Sequence, residues 1–419
     1  MFDVKERNII SIDLKSFFAS VECVERNLDP DTTPLVVADI KRGNGAITLA
    51  VTPYLKKLGV SSRGRVFELP KNINIIFAKP RMKLYLEKSK EIIKIYLNYV
   101  SAEDLHVYSI DEVFMDVTDY LKYFKLTDYE LALKIKNEIY DKTKIKSSAG
   151  IAPNLFLAKV AMDTEAKHNE NGIAKWTKDD VEKKLWNITP LDKIWGIGSK
   201  TMKKLNSLGI YTLKDINKYD INFYKKRFGV IGEDIYLHAN GIDTSIISKK
   251  EHTINKSYGL SQILYRDYET EEARLIIKEM VSKVTKRLRD NNKSCSGLSF
   301  GISYSRTIGG GFHHSRKLST ETDNEKIIAT ECLNIYDNYV EDLPIRKISI
   351  SLFGIKEKLY EQLSIFDEEE SVIKNEKLNN EIDKLTEKFG DNILLKASSL
   401  LDYSTIRARN GTLSGHNKE

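Results

Sequence analysis

The stretch His106-Val107-Tyr108-Ser109-Ile110-Asp111-Glu112-Val113-Phe114-Met115-Asp116-Val117 sets two adjacent carboxylates between runs of β-branched and aromatic residues. Alternation on both sides predicts a β-hairpin or strand pair with the acids at or near the turn. About a hundred residues earlier, Asn8-Ile9-Ile10-Ser11-Ile12-Asp13 is an apolar strand ending in another acid. Three carboxylates presented from neighbouring strand ends form a site for divalent metal ions, because hard cations such as Mg²⁺ take oxygen ligands and bridge to phosphates. Two such ions roughly 4 Å apart can clamp the attacking and leaving oxygens of a phosphoryl transfer. In a chain that is 30% charged, an isolated Asp-Glu pair reads as a solvated turn. Here the acids interrupt an apolar strand signal, and a second strand ends in an acid after an unbroken apolar approach.

The 419 residues call for two to four domains, and 41% hydrophobic content supports packed cores. The opening Met-Phe-Asp-Val-Lys-Glu-Arg-Asn has no apolar core of a secretory signal. No apolar run approaches the ~20 residues that span a bilayer. Cys23, Cys295 and Cys332 lie far apart and fit neither a disulfide framework nor a zinc spacing, so a reducing cytosol is expected. The net charge of +6 is unevenly spread: between Lys193 and Arg227 nine Lys/Arg face two Asp/Glu, the footprint of polyanion binding. Between Leu359 and Asn392 ten acids face four bases, so that segment is not expected to hold nucleic acid by itself.

Along the chain, Asn8–Asp13 runs into helical spacing over Ser16–Glu22. Short strands follow at Leu35–Ala38 and Ala46–Leu49, then a helix from Pro53 stopped at Gly59, and a strand at Asn74–Ala78. An amphipathic helix over Met82–Val100 leads into the acidic hairpin. The helix Tyr129–Lys144, the strand Ser147–Ile151 and the helix Leu155–Met162 come next. This order predicts an α+β sheet carrying the acids, with a small insert around residues 25–77. A helical, basic region covers roughly 167–245. Residues 255–357 then alternate strand, helix, strand, strand, helix, strand, ahead of an acidic helical tail.

Several motifs carry chemistry. Trp195-Gly196-Ile197-Gly198-Ser199-Lys200 opens the helical run Thr201–Leu208, followed by Gly209-Ile210, in the form of a helix–hairpin–helix. A Gly-x-Gly turn opening a helix points backbone N–H groups at a phosphate. Such contacts grip nucleic-acid backbone and carry little sequence information. Phe17 and Phe18 follow Asp13 on the first turn of the next helix, facing either the core or a substrate sugar. Lys159 lies among small apolar residues, where an ammonium needs a partner and a triphosphate would serve. Lys56 and Lys57 on the insert could serve likewise. Gln362-Leu363-Ser364-Ile365-Phe366, in charged surroundings, is a candidate docking peptide.

Asp13-x-x-x-Phe17-Phe18-Ala19-Ser20-Val21-Glu22, Ser109-Ile110-Asp111-Glu112 and Gly150-Ile151-Ala152-Pro153-Asn154-x-x-x-Ala158-Lys159 together resemble the Y-family translesion DNA polymerases, in family order and spacing. Arg65-Val66-Phe67-Glu68-Leu69-Pro70, the Gln-Leu-Ser-Ile-Phe peptide and the C-terminal extension look like the UmuC-like branch of Gram-positive type. The resemblance implies a multidomain α+β right-hand polymerase: palm at 1–24 and 78–166, fingers at 25–77, helix–hairpin–helix thumb at 167–245, βαββαβ-like little finger at 255–357, and a tail at 358–419 with a clamp-binding peptide. It implies two Mg²⁺ ions on Asp13, Asp111 and Glu112, with the Leu14 backbone oxygen as an extra ligand. Phe18 takes the steric-gate position that excludes a 2′-hydroxyl, Phe17 lies beside it under the nucleotide, and Lys159 meets the triphosphate. Where many members carry Tyr and Arg on the first fingers helix, this sequence has Pro53 and Lys56; Lys56 keeps the charge without the guanidinium fork, and Thr52 or Tyr54 is left to supply a hydroxyl. Gly196, Gly198, Lys200, Arg306 and Arg316 become DNA contacts, and Gln362, Leu363, Ile365 and Phe366 dock on a replication sliding clamp.

The implied activity is lesion-bypass synthesis from dNTPs on primer–template DNA in a cytoplasmic, SOS-type damage response, with a UmuD-like accessory protein as a further partner and no membrane association. Two rivals remain in view: a non-catalytic helix–hairpin–helix repair factor, and a nucleotide cyclase with a similar acidic palm.

Overall fold

In the computed structural model, described over residues 6–249, 256–358, 369–413 and 415–419, the chain divides into two compact units, residues 1–251 with 416–419, and 252–415. The expected docking residues Gln362, Leu363, Ile365 and Phe366 lie outside the described residues.

The first unit carries β1 (Ile9–Leu14), β2 (Leu35–Ala38), β3 (Thr48–Val51), β4 (Ile76–Ala78), β5 (Leu105–Val107), β6 (Glu112–Asp116), β7 (Ser147–Ala152) and β8 (Ile173–Lys175). Five of these make one sheet in the order β5-β6-β1-β7-β8. The central position of β1 explains why both its faces are buried: Ile9, Ile10, Ser11 and Ile12 are each at most 2% exposed, so neither face alternates with water. The helix Leu155–Ala161 packs on β1 and β7, and the helix Asp128–Thr143 on β7 and β8. Thr127 caps the latter, its hydroxyl accepting from the Glu130 N–H while the Glu130 carboxylate accepts from the Thr127 N–H.

The 25–77 insert forms its own sheet, β3-β2-β4, around Val36, Ala38, Val51 and Leu55. Its second strand begins at Thr48 rather than Ala46, because Ile47 makes only an isolated bridge to Arg65. The helix from Met82 stops at Tyr96, short of Val100. Beyond residue 166 the sheet gains β8, parallel to β7, so the sheet does not end with the palm boundary drawn from sequence. The basic region is built of short helices at Ser199–Asn206, Ile221–Phe228 and Val230–Ala239. Leu205, Tyr224 and Ile235 of these helices, with Ile210 and Leu213 between the first two, belong to one cluster with Ile9, Phe114, Phe156 and Val160 of the sheet layer. Residues 167–245 therefore share a core with the sheet layer rather than enclosing their own.

The second unit holds β9 (Tyr258–Tyr268), β10 (Lys293–Tyr304), β11 (Gly311–Thr322) and β12 (Ile345–Phe353) in the order β11-β10-β12-β9. The helices Thr270–Asp290 and Glu325–Tyr339 close its core, so the strand–helix alternation read from sequence is the one observed. The tail packs on the first of these helices: Asp383 pairs with Arg289 at 2.6 Å, Asp391 with Lys283 at 2.8 Å, and the Thr405 N–H donates to buried Glu279 at 3.2 Å.

Candidate active site

Antiparallel register sets Asp13 of β1 directly opposite Glu112 of β6, so both side chains leave the same face of the sheet. Asp111 sits in the turn one residue earlier. That turn is held at three points: the Leu14 N–H donates to the Asp111 carbonyl at 2.9 Å, the N–H groups of Tyr108 and Ser109 share the Glu112 carbonyl at 3.0 and 3.1 Å, and the Ser89 hydroxyl donates to the Ile110 carbonyl at 2.6 Å. The Ser109 hydroxyl donates to Asp111 Oδ1 at 2.7 Å. The acids are thus at the hairpin turn, and backbone bonds bring β1 and the turn together.

Two lysines face these acids. Lys159 Nζ donates to Glu112 Oε2 at 2.8 Å and lies 3.0 Å from Asp163; Lys167 Nζ lies 2.8 Å from Asp163 and 3.2 Å from Asp13. Asp163 therefore bridges two ion pairs, each four residues from it along the chain. A π turn over Met162–Ala166 accommodates this spacing at the end of the helix. Burial pushes the Asp13 carboxyl above its ordinary value, with Lys167 pulling it back and Asp111 adding to the rise. Burial likewise raises Glu112, against the pull of Lys159. Lys167 is held above its ordinary value because Asp13 and Asp163 outweigh the effect of its own burial.

The donor types suit a hard divalent cation: Asp13 and Glu112 face each other across the register with Asp111 at the adjoining turn, and burial disfavours the charge of the first two. Glu112 Oε1, although 2.7 Å from Lys159 Nζ, receives no hydrogen bond. As they stand, no three acidic, His or Cys side chains among the described residues are gathered round one point, and lysines pair with two of the three acids. Cations compete for the same oxygens.

Other expected residues fall on both sides of the expectation. Phe18 is half-buried and stacks on Tyr85, ring centroids 4.5 Å apart at 18°. Phe17 is 2% exposed and belongs to the core, which corrects its placement beneath a nucleotide. Lys159 has a side chain 8% exposed, and its ammonium pairs with Glu112 and Asp163. Lys56 is exposed as a residue on the helix Pro53–Lys57, but burial about its ammonium, with Lys167, holds it below its ordinary value against the opposing pull of Asp13 and Asp111. Thr52 is excluded as a replacement hydroxyl, since it is buried and donates to the Thr33 carbonyl at 2.7 Å. Gly196, at φ 89°, and Gly198 have open space where a Cβ would stand, and Lys200 is exposed. Arg306 is exposed, whereas Arg316 is tied to Glu331 at 2.8 Å.

Sequence reasoning missed Asp163 and Lys167, although the i, i+4 steps from Lys159 are legible. It also missed the support of Phe18. Tyr85 donates to Glu22 Oε1 at 2.7 Å, and Arg81 grips both Glu22 oxygens at 3.0 and 2.7 Å, with Arg26 alongside. Burial alone would raise the Glu22 carboxyl, but these donors outweigh it and hold the group below its ordinary value.

Models of the impB/mucB/samB family match residues 12–163, its helix–hairpin–helix motif 178–210, and its C-terminal domain 255–365. A UV-damage repair protein of Bacillus subtilis strain 168, UvrX, is 35% identical across 98% of this chain and 97% of its own length. DNA polymerase IV 2 of the same organism is 29% identical across 99% and 100%, and DNA polymerase IV of Oceanobacillus iheyensis 31% across 93% and 91%. Among solved structures, the Y-family DNA polymerase chimera Dbh-Dpo4(243-245)-Dbh superposes with a TM-score of 0.68 at 24% identity, covering 84% of this chain and 99% of that one.

Proposed function

The chain belongs to the impB/mucB/samB family, the Y-family DNA polymerases, and from that premise we propose that it copies template DNA past lesions by adding dNTPs to a primer 3′-hydroxyl. The observation that carries the reading is the register of β1 on β6, which sets Asp13 opposite Glu112 with Asp111 bonded at the adjoining turn. Two divalent cations of the Mg²⁺ type, held by Asp13, Asp111, Glu112 and the Leu14 carbonyl, would lower the pKa of the 3′-hydroxyl and neutralise triphosphate charge. The rest is positioning by this chain's own groups. Lys159, beside Glu112, and Lys56 are the ammonium groups we assign to the triphosphate, with Lys167 near them at 34% side-chain exposure. Phe18, braced on Tyr85, would close the floor beneath the sugar. The open backbone at Gly196 and Gly198, with Lys200, would grip duplex phosphates, so affinity should fall steeply with salt.

Domain roles follow the same reading: palm and fingers around the acids, thumb around the hairpin, little finger in the second unit. Gln362–Phe366 would recruit the protein to a sliding clamp, and a UmuD-like accessory protein in an SOS-type response is a further partner. No helix among the described residues is long and apolar enough to cross a membrane, and we place the work in the cytoplasm, where its DNA would be. The non-catalytic rival leaves the facing acids of the palm unexplained; the cyclase rival leaves the hairpin and second unit without a task. The test is primer extension with Mg²⁺ and dNTPs. Asp111→Ala and Glu112→Ala should abolish extension with primer–template affinity nearly unchanged; substantial extension by either variant would sink the assignment.

A further inference from the structure

We propose that Trp195 is a positioning residue that couples the backbone grip of the helix–hairpin–helix to the turn carrying Asp111 and Glu112; this rests on the polymerase reading above. Trp195 stands immediately before Gly196, whose φ of 89° shapes the hairpin. Its indole N–H donates to the Tyr108 hydroxyl at 3.2 Å, and the two rings meet edge to face with centroids 6.0 Å apart at 79°. Tyr108 packs edge-on against Phe114 at 5.7 Å, and its backbone N–H donates to the Glu112 carbonyl at 3.0 Å. The side chain that meets the hairpin and the backbone that closes the carboxylate turn thus belong to one residue.

On its other side Trp195 lies 6.5 Å from the ring of His238, which stacks on Phe156 at 4.1 Å and 7°. Phe156 stands in the first turn of the helix Leu155–Ala161, three residues before Lys159. The row Tyr108, Trp195, His238, Phe156 therefore touches both elements that supply the Glu112–Lys159 ion pair. The same helix start is fixed from the thumb side, where Asp243 accepts the Phe156 N–H at 2.9 Å.

The indole also has somewhere to go. A cavity of about 270 Å³ opens beside it, bordered by Ile197, Leu213, Ile231, Ile235 and His238. Tyr108 is itself 46% exposed, so its contact with the indole can shift without repacking a core. When phosphates draw on the hairpin at Gly196, an indole beside open volume can shift and carry the Tyr108 hydroxyl with it. The acids then take their working positions only when duplex is held. A rate advantage on bound DNA would follow, without any new contact between Trp195 and the reacting atoms.

The test compares wild type, Trp195→Phe, Tyr108→Phe and the double variant, each of which keeps an aromatic ring at both positions while removing the hydrogen-bonding group. At saturating primer–template, each single variant should lose roughly 2- to 10-fold in kcat for single-nucleotide addition, as expected for one lost hydrogen bond. The double variant should lose no more than the worse single one, because both changes remove the same coupling. Primer–template Kd and KM for dNTP should stay within about twofold of wild type. The difference in indole emission between wild type and Trp195→Phe should shift when primer–template is added without dNTP. Independent, multiplying losses in the double variant would overturn the coupling. A changed Kd with unchanged kcat would make Trp195 a plain DNA contact, and an unmoved emission spectrum would make it packing. Wild type that fails to extend primers would overturn the polymerase reading instead, and the emission arm separates the two failures.

Discussion

Replacing Gly150 by alanine should damage the site from beneath. Gly150 lies in the middle of β7 with no positive φ, so conformational freedom is not why glycine stands there. The reason is proximity. A Cβ at this position would lie 2.1 Å from the Ala158 carbonyl oxygen, 2.6 Å from the Met162 nitrogen and 2.7 Å from the Met162 Cβ. Real Cβ atoms do not approach heavy atoms closer than 3.0 Å, so the Leu155–Ala161 helix must move off the sheet by about 0.9 Å. All three contacts are helix backbone or sit on it, and no flexible side-chain end can yield. Overpacking of this kind costs about 1–3 kcal/mol. For a unit of this size that corresponds to about 2–12 °C in Tm. The displaced helix carries Lys159, now 2.8 Å from Glu112, and ends at the turn that holds Asp163 between Lys159 and Lys167. Misplacement of about 1 Å at a positioned site can cost roughly 10²-fold in rate. Thermal unfolding followed by circular dichroism, with single-nucleotide addition on a primed template, gives both readouts. Gly150→Ala with wild-type Tm and wild-type rate would refute the packing argument.

Phe18→Ala should open room for a 2′-hydroxyl and raise ribonucleotide incorporation relative to dNTP; unchanged discrimination would return Phe18 to a packing role. Tyr85→Phe, which removes one donor to a buried carboxylate and frees the ring supporting Phe18, should lower stability by about 1–3 kcal/mol and weaken the same discrimination. Glu22 gives a signed pH dependence. Its folded-state pKa lies below the ordinary 4.5, so its contribution is full above that value and is lost as pH falls through the folded value. Wild-type Tm should therefore drop on acidification below about pH 5, and Glu22→Gln should flatten that part of the curve; equal slopes would dismiss the clamp on Glu22. Ile365→Ala with Phe366→Ala should leave distributive synthesis on short primers unchanged and remove stimulation by the sliding clamp, measured as product length with and without loaded clamp.

Much of the local order was readable along the chain because it follows from short-range rules. The acids at a hairpin turn, the isoleucine-rich β1, Pro53 at the first helical position and the strand–helix alternation of 255–357 each rest on side-chain period or a single terminating residue. Motif spacing alone placed Asp13, Asp111 and Glu112 in one constellation, and the register of β1 on β6 brings Asp13 opposite Glu112.

Tertiary packing decided the rest. Whether Phe17 or Phe18 faced inward could not be settled by period over two adjacent aromatics; the core took Phe17, and Tyr85, far along the chain, took Phe18. Lys159 and Lys167 carry the same charge, and only their depth in the fold distinguishes the one locked on Glu112 from the one nearer water. The support of Glu22 by Arg81 and Tyr85 and the contact of Trp195 with Tyr108 join segments some sixty and ninety residues apart, which no local pattern encodes. Local sequence fixes which groups a segment can present, because period and chain termination act within a few residues. Which of those groups meet, and which are sealed from solvent, depends on how distant segments pack, and that is where the ion pairs and the shifted pKa values of this site arise.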